Sequence, residues 1–221
     1  MPTRLFPSAG QRLARDLVNR WAGVPASIPA DLLGGLTVLD PALRPLRPMA
    51  AGERLAGLAL TVLCEGTDYG PVHQALAIAQ SGDVLVIEAG GRASPAVIGD
   101  ILGGAARRKG VAGLVVNGAV RDTGILRTWD DFPVFARHIT PRGPSSMDRG
   151  TVNDVIAVGG VRVSPGDLVL GDDDGVVIIP HGEAEALLPA AEARMAAEAL
   201  WEKELGAGRC NLDLFGIPKA T

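Results

Sequence analysis

The sequence predicts an α/β fold with a partly parallel sheet. Its first half alternates strand, helix, strand, helix and strand, the order that places helices over a mostly parallel sheet. Val84-Leu85-Val86-Ile87 is a continuous apolar run without in/out alternation, and Gly113 to Asn117 is another apolar strand. Such runs mark central strands covered on both faces. From Val155 to Ile179 the pattern changes to short strands separated by turns, which predicts a second sheet packed on the first.

The elements follow in order. Gln11 to Trp21 reads as a helix with Leu13, Leu17, Val18 and Trp21 on one face. Gly23 to Met49 is proline-rich and mostly loop, with a short helical turn at Asp31–Leu33. Leu55 to Cys64 is a buried strand, and Val72 to Gln80 a short apolar helix. A Ser81-Gly82-Asp83 turn precedes the Val84–Ile87 strand. Gly90-Gly91 forms a loop, and a helix is expected from about Pro95 to Lys109, stopped by Gly110. The Gly113–Asn117 strand feeds the Gly118–Asp122 loop. Pro133 to Arg137 is a short strand and Pro141 to Gly150 a polar loop. Strands at Val161–Val163, Leu168–Leu170 and Val176–Ile179 are joined by Ser164-Pro165-Gly166-Asp167 and Asp172-Asp173-Asp174-Gly175 turns. Glu183 to Leu205 is a long helix, and Gly206 to Thr221 an irregular tail. Without an internal linker, residues 1–221 read as one domain.

Composition narrows the function. The chain has 221 residues, 47% apolar and 21% charged, with a net charge of −4. That length can bury a sizeable core. The charge leaves no broad basic footprint for nucleic acid or an anionic membrane. The Arg107-Arg108-Lys109 cluster suits the end of a helix, where cations meet the negative end of its dipole. Cys64 and Cys210 have no CxxC or zinc spacing, and reduced thiols are expected. No signal peptide and no run of about 18 apolar residues is visible, so a cytoplasmic protein is expected.

Familiar site motifs are missing. There is no phosphate-binding Gly-x4-Gly-Lys-Ser/Thr loop, no dinucleotide-type Gly-x-Gly-x-x-Gly after a strand and no Gly-x-Ser-x-Gly elbow. Binding of S-adenosylmethionine is not expected. His73, His138 and His181 are scattered and read as structural. The Asp172–Asp174 run lacks the alternation and later Glu of a calcium loop and reads as a hairpin turn. One constellation remains: Gly99-Asp100, and Arg121-Asp122 just past the Gly113–Asn117 strand. Both leave the carboxyl edge of the sheet, where ligands of α/β proteins gather.

The segment from Val84 to Pro144 resembles the 4-hydroxy-4-methyl-2-oxoglutarate / 4-carboxy-4-hydroxy-2-oxoadipate aldolases, which share a scaffold with regulators of ribonuclease activity A. The resemblance rests on Val84–Gly91, Gly99-Asp100-Ile101-Leu102, Arg107 to Asp122, Pro133–Arg137 and Thr140–Pro144. The Asp100-x20-Arg121-Asp122 spacing is its specific part. It extends through Pro165-Gly166-Asp167 and Asp172–Val177 to the long helix, about residues 30–205.

The resemblance implies a layered β/β/α fold of the swivelling phosphohistidine-domain type. It implies a homo-oligomer, a trimer or dimer of trimers, with sites between subunits. The activity implied is class II aldol cleavage of small hydroxy-oxo diacids, such as those from aromatic degradation, to pyruvate. Decarboxylation of oxaloacetate would pass through the same enolate. The cofactor implied is Mg²⁺ or Mn²⁺, with Asp122 as direct ligand and Asp100 acting through water. Arg121 would contact substrate, and Gly99, Asp100, Ile101 and Leu102 would cradle its carboxylate. A C-terminal-helix glutamate from a neighbouring subunit, Glu198 ahead of Glu202, would approach the metal. Asn117 stands where relatives commonly carry Asp.

These roles suit the chemistry. Cleavage leaves a localised enolate charge, which a hard cation and a permanently charged, planar guanidinium can stabilise. A helix N-terminus after Gly99 would add N–H donors for a carboxylate. Two other readings stay open: a non-catalytic ribonuclease-binding regulator on the same scaffold, and a different lyase or hydrolase of small oxo acids.

Overall fold

A computed structural model describes residues 2–8 and 10–220. In chain order the elements are β1 (Arg4–Leu5), α1 (Arg15–Ala22), α2 (Ser27–Leu32), β2 (Arg44–Pro45), β3 (Leu55–Cys64), α3 (Gly70–Ile78), β4 (Asp83–Glu88) and β5 (Ala96–Ile98). They continue with α4 (Asp100–Arg108), β6 (Gly113–Val120), α5 (Thr123–Leu126), β7 (Val134–Ile139), β8 (Gly150–Val152), β9 (Ile156–Val158) and β10 (Val161–Val163). The last are β11 (Leu168–Asp172), β12 (Gly175–Ile179), α6 (Ala184–Gly206) and α7 (Asn211–Phe215).

Strands β3, β4, β6 and β7 run parallel in that order and form the centre of the main sheet. Their residues alternate between two apolar layers, although nearly all are buried. Leu85, Ile87, Leu114, Val116, Val134 and Ala136 face α3 and α4. Val84, Val86, Val115 and Phe135 face the β9–β10 hairpin. This double coverage is why the runs lack polar residues, and each fully buried Val, Leu or Ile contributes about 1.5–3 kcal/mol. A third core joins β11 and β12 to α1, α2 and α6 around Trp21, whose Nε1 donates to the Ala184 carbonyl at 2.8 Å.

The expected second sheet takes a different form. Strand β3 is ten residues long. One edge pairs with β4, while the other pairs first with β11 at Leu55–Leu58 and then with β8 at Val62–Cys64. The β11–β12 hairpin therefore extends the main sheet, and among the described residues only β9–β10 stands apart. The Asp172–Gly175 turn closes that hairpin as expected, with Asp172 opposite Gly175.

The two similar turns before β4 and β11 share one device. Asp83 Oδ2 accepts from the Gln80 amide at 2.8 Å, and Asp167 Oδ2 accepts from the Ser164 amide at 2.7 Å. Gly82 and Gly166 have φ of +83° and +86°. A left-handed glycine and an aspartate reaching back three residues make the same tight turn. The two turns flank β3: Leu58 N–H donates to Gly82, and Gly166 N–H donates to Ala59.

Three local expectations are corrected. The helix expected from Pro95 begins at Asp100, because Ala96–Ile98 is a buried strand paired with the end of β6. The tail contains a helix at Asn211–Phe215, where Phe215 meets Trp201 edge to face. The helical turn expected at Asp31–Leu33 is the end of α2, which starts earlier, at Ser27. No helix among the described residues is long and apolar enough to cross a membrane.

Candidate active site

The site begins where the chain leaves β4. Gly90 and Gly91, with φ of +73° and +62°, let it turn away and return as β5. Strand β6 pairs with β4 through Asn117 and with β5 from Ala119. The exchange sets Gly99 beside Arg121: the Arg121 amide donates to Ile98 O at 3.1 Å. The twenty residues between Asp100 and Arg121 thus form helix α4 and strand β6, which return the chain beside Gly99, and that is the physical meaning of the Asp-x20-Arg spacing.

Asn117 anchors this crossover. Its carbonyl accepts from the Ala89 and Gly91 amides at 3.0 and 3.1 Å. Its Nδ2 donates to Glu88 Oε2 at 2.7 Å, and its Oδ1 accepts from Arg137 Nε at 2.8 Å. Arg137 also pairs with Asp40. Burial pushes the Glu88 carboxyl up from its ordinary value, opposed by donors from Asn117 and Gly90. A carboxylate at 117 would face Glu88 directly, so the amide suits this position.

Arg121 and Asp122 sit at the end of β6. Asp122 has φ of 56°, a left-handed conformation that aspartate tolerates, and it caps α5. Its Oδ2 accepts from the Asp100 amide at 3.3 Å and lies 3.4 Å from Arg121 Nε. A side chain on Gly99 would put a Cβ 2.2 Å from Asp122 Oδ2 and 2.8 Å from Arg121 Cγ. Only glycine lets the start of α4 approach this closely.

Helix α4 makes its first internal bond from Gly103 N to Gly99 O, at 2.8 Å. The amides of Ile101 and Leu102 precede it and have no intrahelical acceptor, so the positive end of the helix faces the cavity. That cavity has a volume of about 180 Å³. Gly99, Asp100, Ile101, Leu102, Arg121 and Asp122 all line it. Both Asp100 oxygens and Asp122 Oδ1 lack protein donors among the described residues, and the Arg121 and Asp122 side chains are 43% and 37% exposed. Oxygen ligands with open coordination fit a hydrated hard cation such as Mg²⁺ or Mn²⁺. Among the described residues no group of three or more metal-ligating side chains forms within one chain.

Glu198 lies elsewhere in its own chain. It is on α6, bound to Arg194 at 2.9 Å, and neither it nor Glu202 lines the cavity. Two residues that the sequence did not assign to a site do line it: His73, read as structural, and Tyr69, both at the start of α3. Their rings meet edge to face with centroids 4.9 Å apart. Nothing in their spacing signalled this, since the topology alone brings α3 to the site. His138 and His181 each place a ring nitrogen at a backbone carbonyl, of Gly91 and Gln11 respectively, and neither lines the cavity. Cys64 is buried and its thiol is pushed up to about 12, which suits a core residue and not a nucleophile.

Comparison with known proteins agrees with this architecture. The RraA-like family model, described as Aldolase/RraA, matches residues 30–178. A Halalkalibacterium halodurans protein provisionally named 4-hydroxy-4-methyl-2-oxoglutarate aldolase is 35% identical, over 86% of this chain and 89% of its own. Streptomyces coelicolor RraAS2, described as an unusual member of the RNase ES inhibitor RraA family, superposes with a TM-score of 0.77 at 28% identity. That match covers 87% of this chain and all of the other. An uncharacterised Pseudomonas syringae protein shares the fold at a TM-score of 0.78 and 24% identity, covering 91% and 97% of the two chains. The chain belongs to the RraA-like (Aldolase/RraA) family.

Proposed function

We propose that this protein is a divalent-metal-dependent class II aldolase that cleaves 4-hydroxy-2-oxo diacids to pyruvate and a second oxo acid, and decarboxylates oxaloacetate. One observation carries the reading: Asp100 and Asp122, with open carboxylate oxygens, share a cavity with Arg121 and the N-terminus of α4. The name of the 35% identical relative points the same way.

Asp122 would hold Mg²⁺ or Mn²⁺ directly and Asp100 through water, and the bound ion would supply Lewis-acid polarisation of the keto and carboxylate oxygens. The Ile101 and Leu102 amides hold the substrate carboxylate at the helix N-terminus. Arg121 sets its guanidinium against the C2 oxygen, where charge develops. The C4 hydroxyl gives its proton to a water ordered by Asp100, the C3–C4 bond breaks, and its electron pair forms the enolate of pyruvate. C4 leaves as the carbonyl carbon of the second oxo acid, and the enolate takes a proton at C3. Oxaloacetate loses CO₂ to the same enolate and needs no alcohol base. Glu198 of the partner subunit, ahead of Glu202, completes the site in a trimer or dimer of trimers.

The test is pyruvate release from 4-hydroxy-4-methyl-2-oxoglutarate and from oxaloacetate, coupled to lactate dehydrogenase, with Mg²⁺ and then excess EDTA. Release from both, abolished by EDTA, is the expected result. No release from either by folded protein sinks the reading. The likeness to RraAS2 favours a second reading, a ribonuclease-binding regulator. Capture of a ribonuclease together with no turnover of any oxo acid would establish it.

A further inference from the structure

The proposed roles of Arg121, Asp100, Asp122 and the α4 amides all concern the pyruvate half of the substrate. The other half must lie in the same cavity. The rest of the lining is Ala96, Val97, Ile98 and Pro144, which bring no side-chain polar group, together with Tyr69 and His73.

Tyr69 is fixed at the start of α3, half-buried against the main core, and His73 follows it, exposed, on the first turn. The Tyr69 amide donates to Ser146 O at 3.1 Å. A Cβ on Gly70 would lie 1.7 Å from Met147 O, so the 146–147 segment presses on the start of α3 and requires glycine there. Next to it, buried Asp68 accepts from the Asp148 amide at 3.1 Å and from Arg149 Nε at 2.9 Å. The two rings then support each other edge to face.

Their polar groups are open. The Tyr69 hydroxyl and both His73 ring nitrogens have no protein partner among the described residues, whereas His138 and His181 each meet a backbone carbonyl. A hydroxyl on the half-buried Tyr69 ring and an imidazole N–H on the ring that meets it edge to face form a pair of donors on one side of the cavity.

We propose that Tyr69 and His73 are specificity-determining residues that bind the distal carboxylate of the substrate, on the oxo acid that leaves. This rests on the aldolase reading. It explains how a small cavity selects a diacid: one carboxylate sits at the α4 N-terminus and the other at the start of α3. A substrate with a methyl group in place of the distal carboxylate would leave both donors unpaired, and sites built around such donors reject analogues that cannot pair with them.

The test uses the full chain with Mg²⁺ and two conservative variants, Tyr69→Phe and His73→Phe, which keep the ring packing. Pyruvate release is measured from 4-hydroxy-4-methyl-2-oxoglutarate and from the analogue carrying methyl in place of the distal carboxylate. The wild type is expected to prefer the diacid in kcat/KM. Each variant is expected to lower that preference at least tenfold, mainly through KM for the diacid. Equal losses on both compounds, or no loss on either, would overturn the proposal. Wild-type oxaloacetate decarboxylation, run in parallel, separates the two levels. If that activity is present but the preference does not move, the assignment of Tyr69 and His73 alone fails. If the wild type releases no pyruvate from any compound, the aldolase reading fails and takes the assignment with it.

Discussion

Two sets of carboxylates divide this molecule. Asp68, Asp83, Asp167 and Glu88 are buried, and their oxygens are occupied by backbone amides, Arg12, Arg149 or Asn117. Asp100 and Asp122 are partly exposed, and three of their four oxygens have no protein donor among the described residues. The first set fixes turns and crossovers. The second has coordination left for something else. Open hydrogen-bonding capacity beside a helix N-terminus, more than burial or local charge, separates a candidate site from a structural polar cluster.

Substitutions in the two sets should behave oppositely. The largest effect is expected for Asp122→Asn. Asparagine tolerates the left-handed backbone at 122. The melting temperature should hold while kcat for pyruvate release falls by about 10²–10³, the scale of losing one preorganised electrostatic group. Full activity in a folded Asn variant would remove Asp122 from the site. Arg121→Lys should come close to it, because lysine keeps the charge but loses the planar fork.

Gly99→Ala sharpens the comparison through geometry alone. Its Cβ would displace Asp122 Oδ2 from 2.2 Å away, and no chemical group is lost. A misplacement of about 1 Å is worth about 10²-fold in rate. The expected result is a loss of 10- to 100-fold, on that scale, with near-normal melting; unchanged kinetics would mean the close approach is not needed.

Asp68→Asn tests the structural set. The Ser146 hydroxyl, then the Asp148 amide and Arg149, hold the Asp68 carboxyl down at about 2, against an ordinary 3.8. A depressed acid stabilises the fold fully above its unfolded value. That stabilisation fades as pH falls from near 3.8 toward about 2. The variant should melt lower than the wild type at neutral pH, and the gap should close over that acid window. A gap independent of pH would argue against the ionised form as its source.

The smallest effect on stability is expected for Glu198→Ala. Its own-chain contact is an exposed i,i+4 pair with Arg194, worth about 0.3–0.5 kcal/mol. Melting should barely move, while the Mg²⁺ concentration for half-maximal activity should rise. No change in that concentration would remove Glu198 from the site.

Much of the fold was legible because single physical causes wrote it locally. Val84–Ile87 and Leu114–Val116 are apolar throughout because both of their faces are covered, and that shows in the sequence. The Asp172–Gly175 turn is legible for its turn chemistry. The Asp100, Arg121 and Asp122 grouping was visible as a spacing, and the β5–β6 pairing supplies its geometry. Other features have no local signature. Ala96–Ile98 is a strand only because β6 offers an edge once β4 has ended. Likewise, β11 and β12 join the main sheet only because β3 is long enough to pair twice along one edge.

The sequence by itself determined the α/β class, the central strands, the hairpin and the set of residues that meet at the carboxyl edge. Burial periodicity and turn chemistry act over a few residues, so they survive in one dimension. Tertiary structure alone decided that the β11–β12 hairpin extends the main sheet, that Asn117 ties the crossover to Glu88 and Arg137, and that α3 brings Tyr69 and His73 to the cavity. Those outcomes depend on which edges and helix ends are left to meet after the core has packed, and residues distant in sequence settle that together.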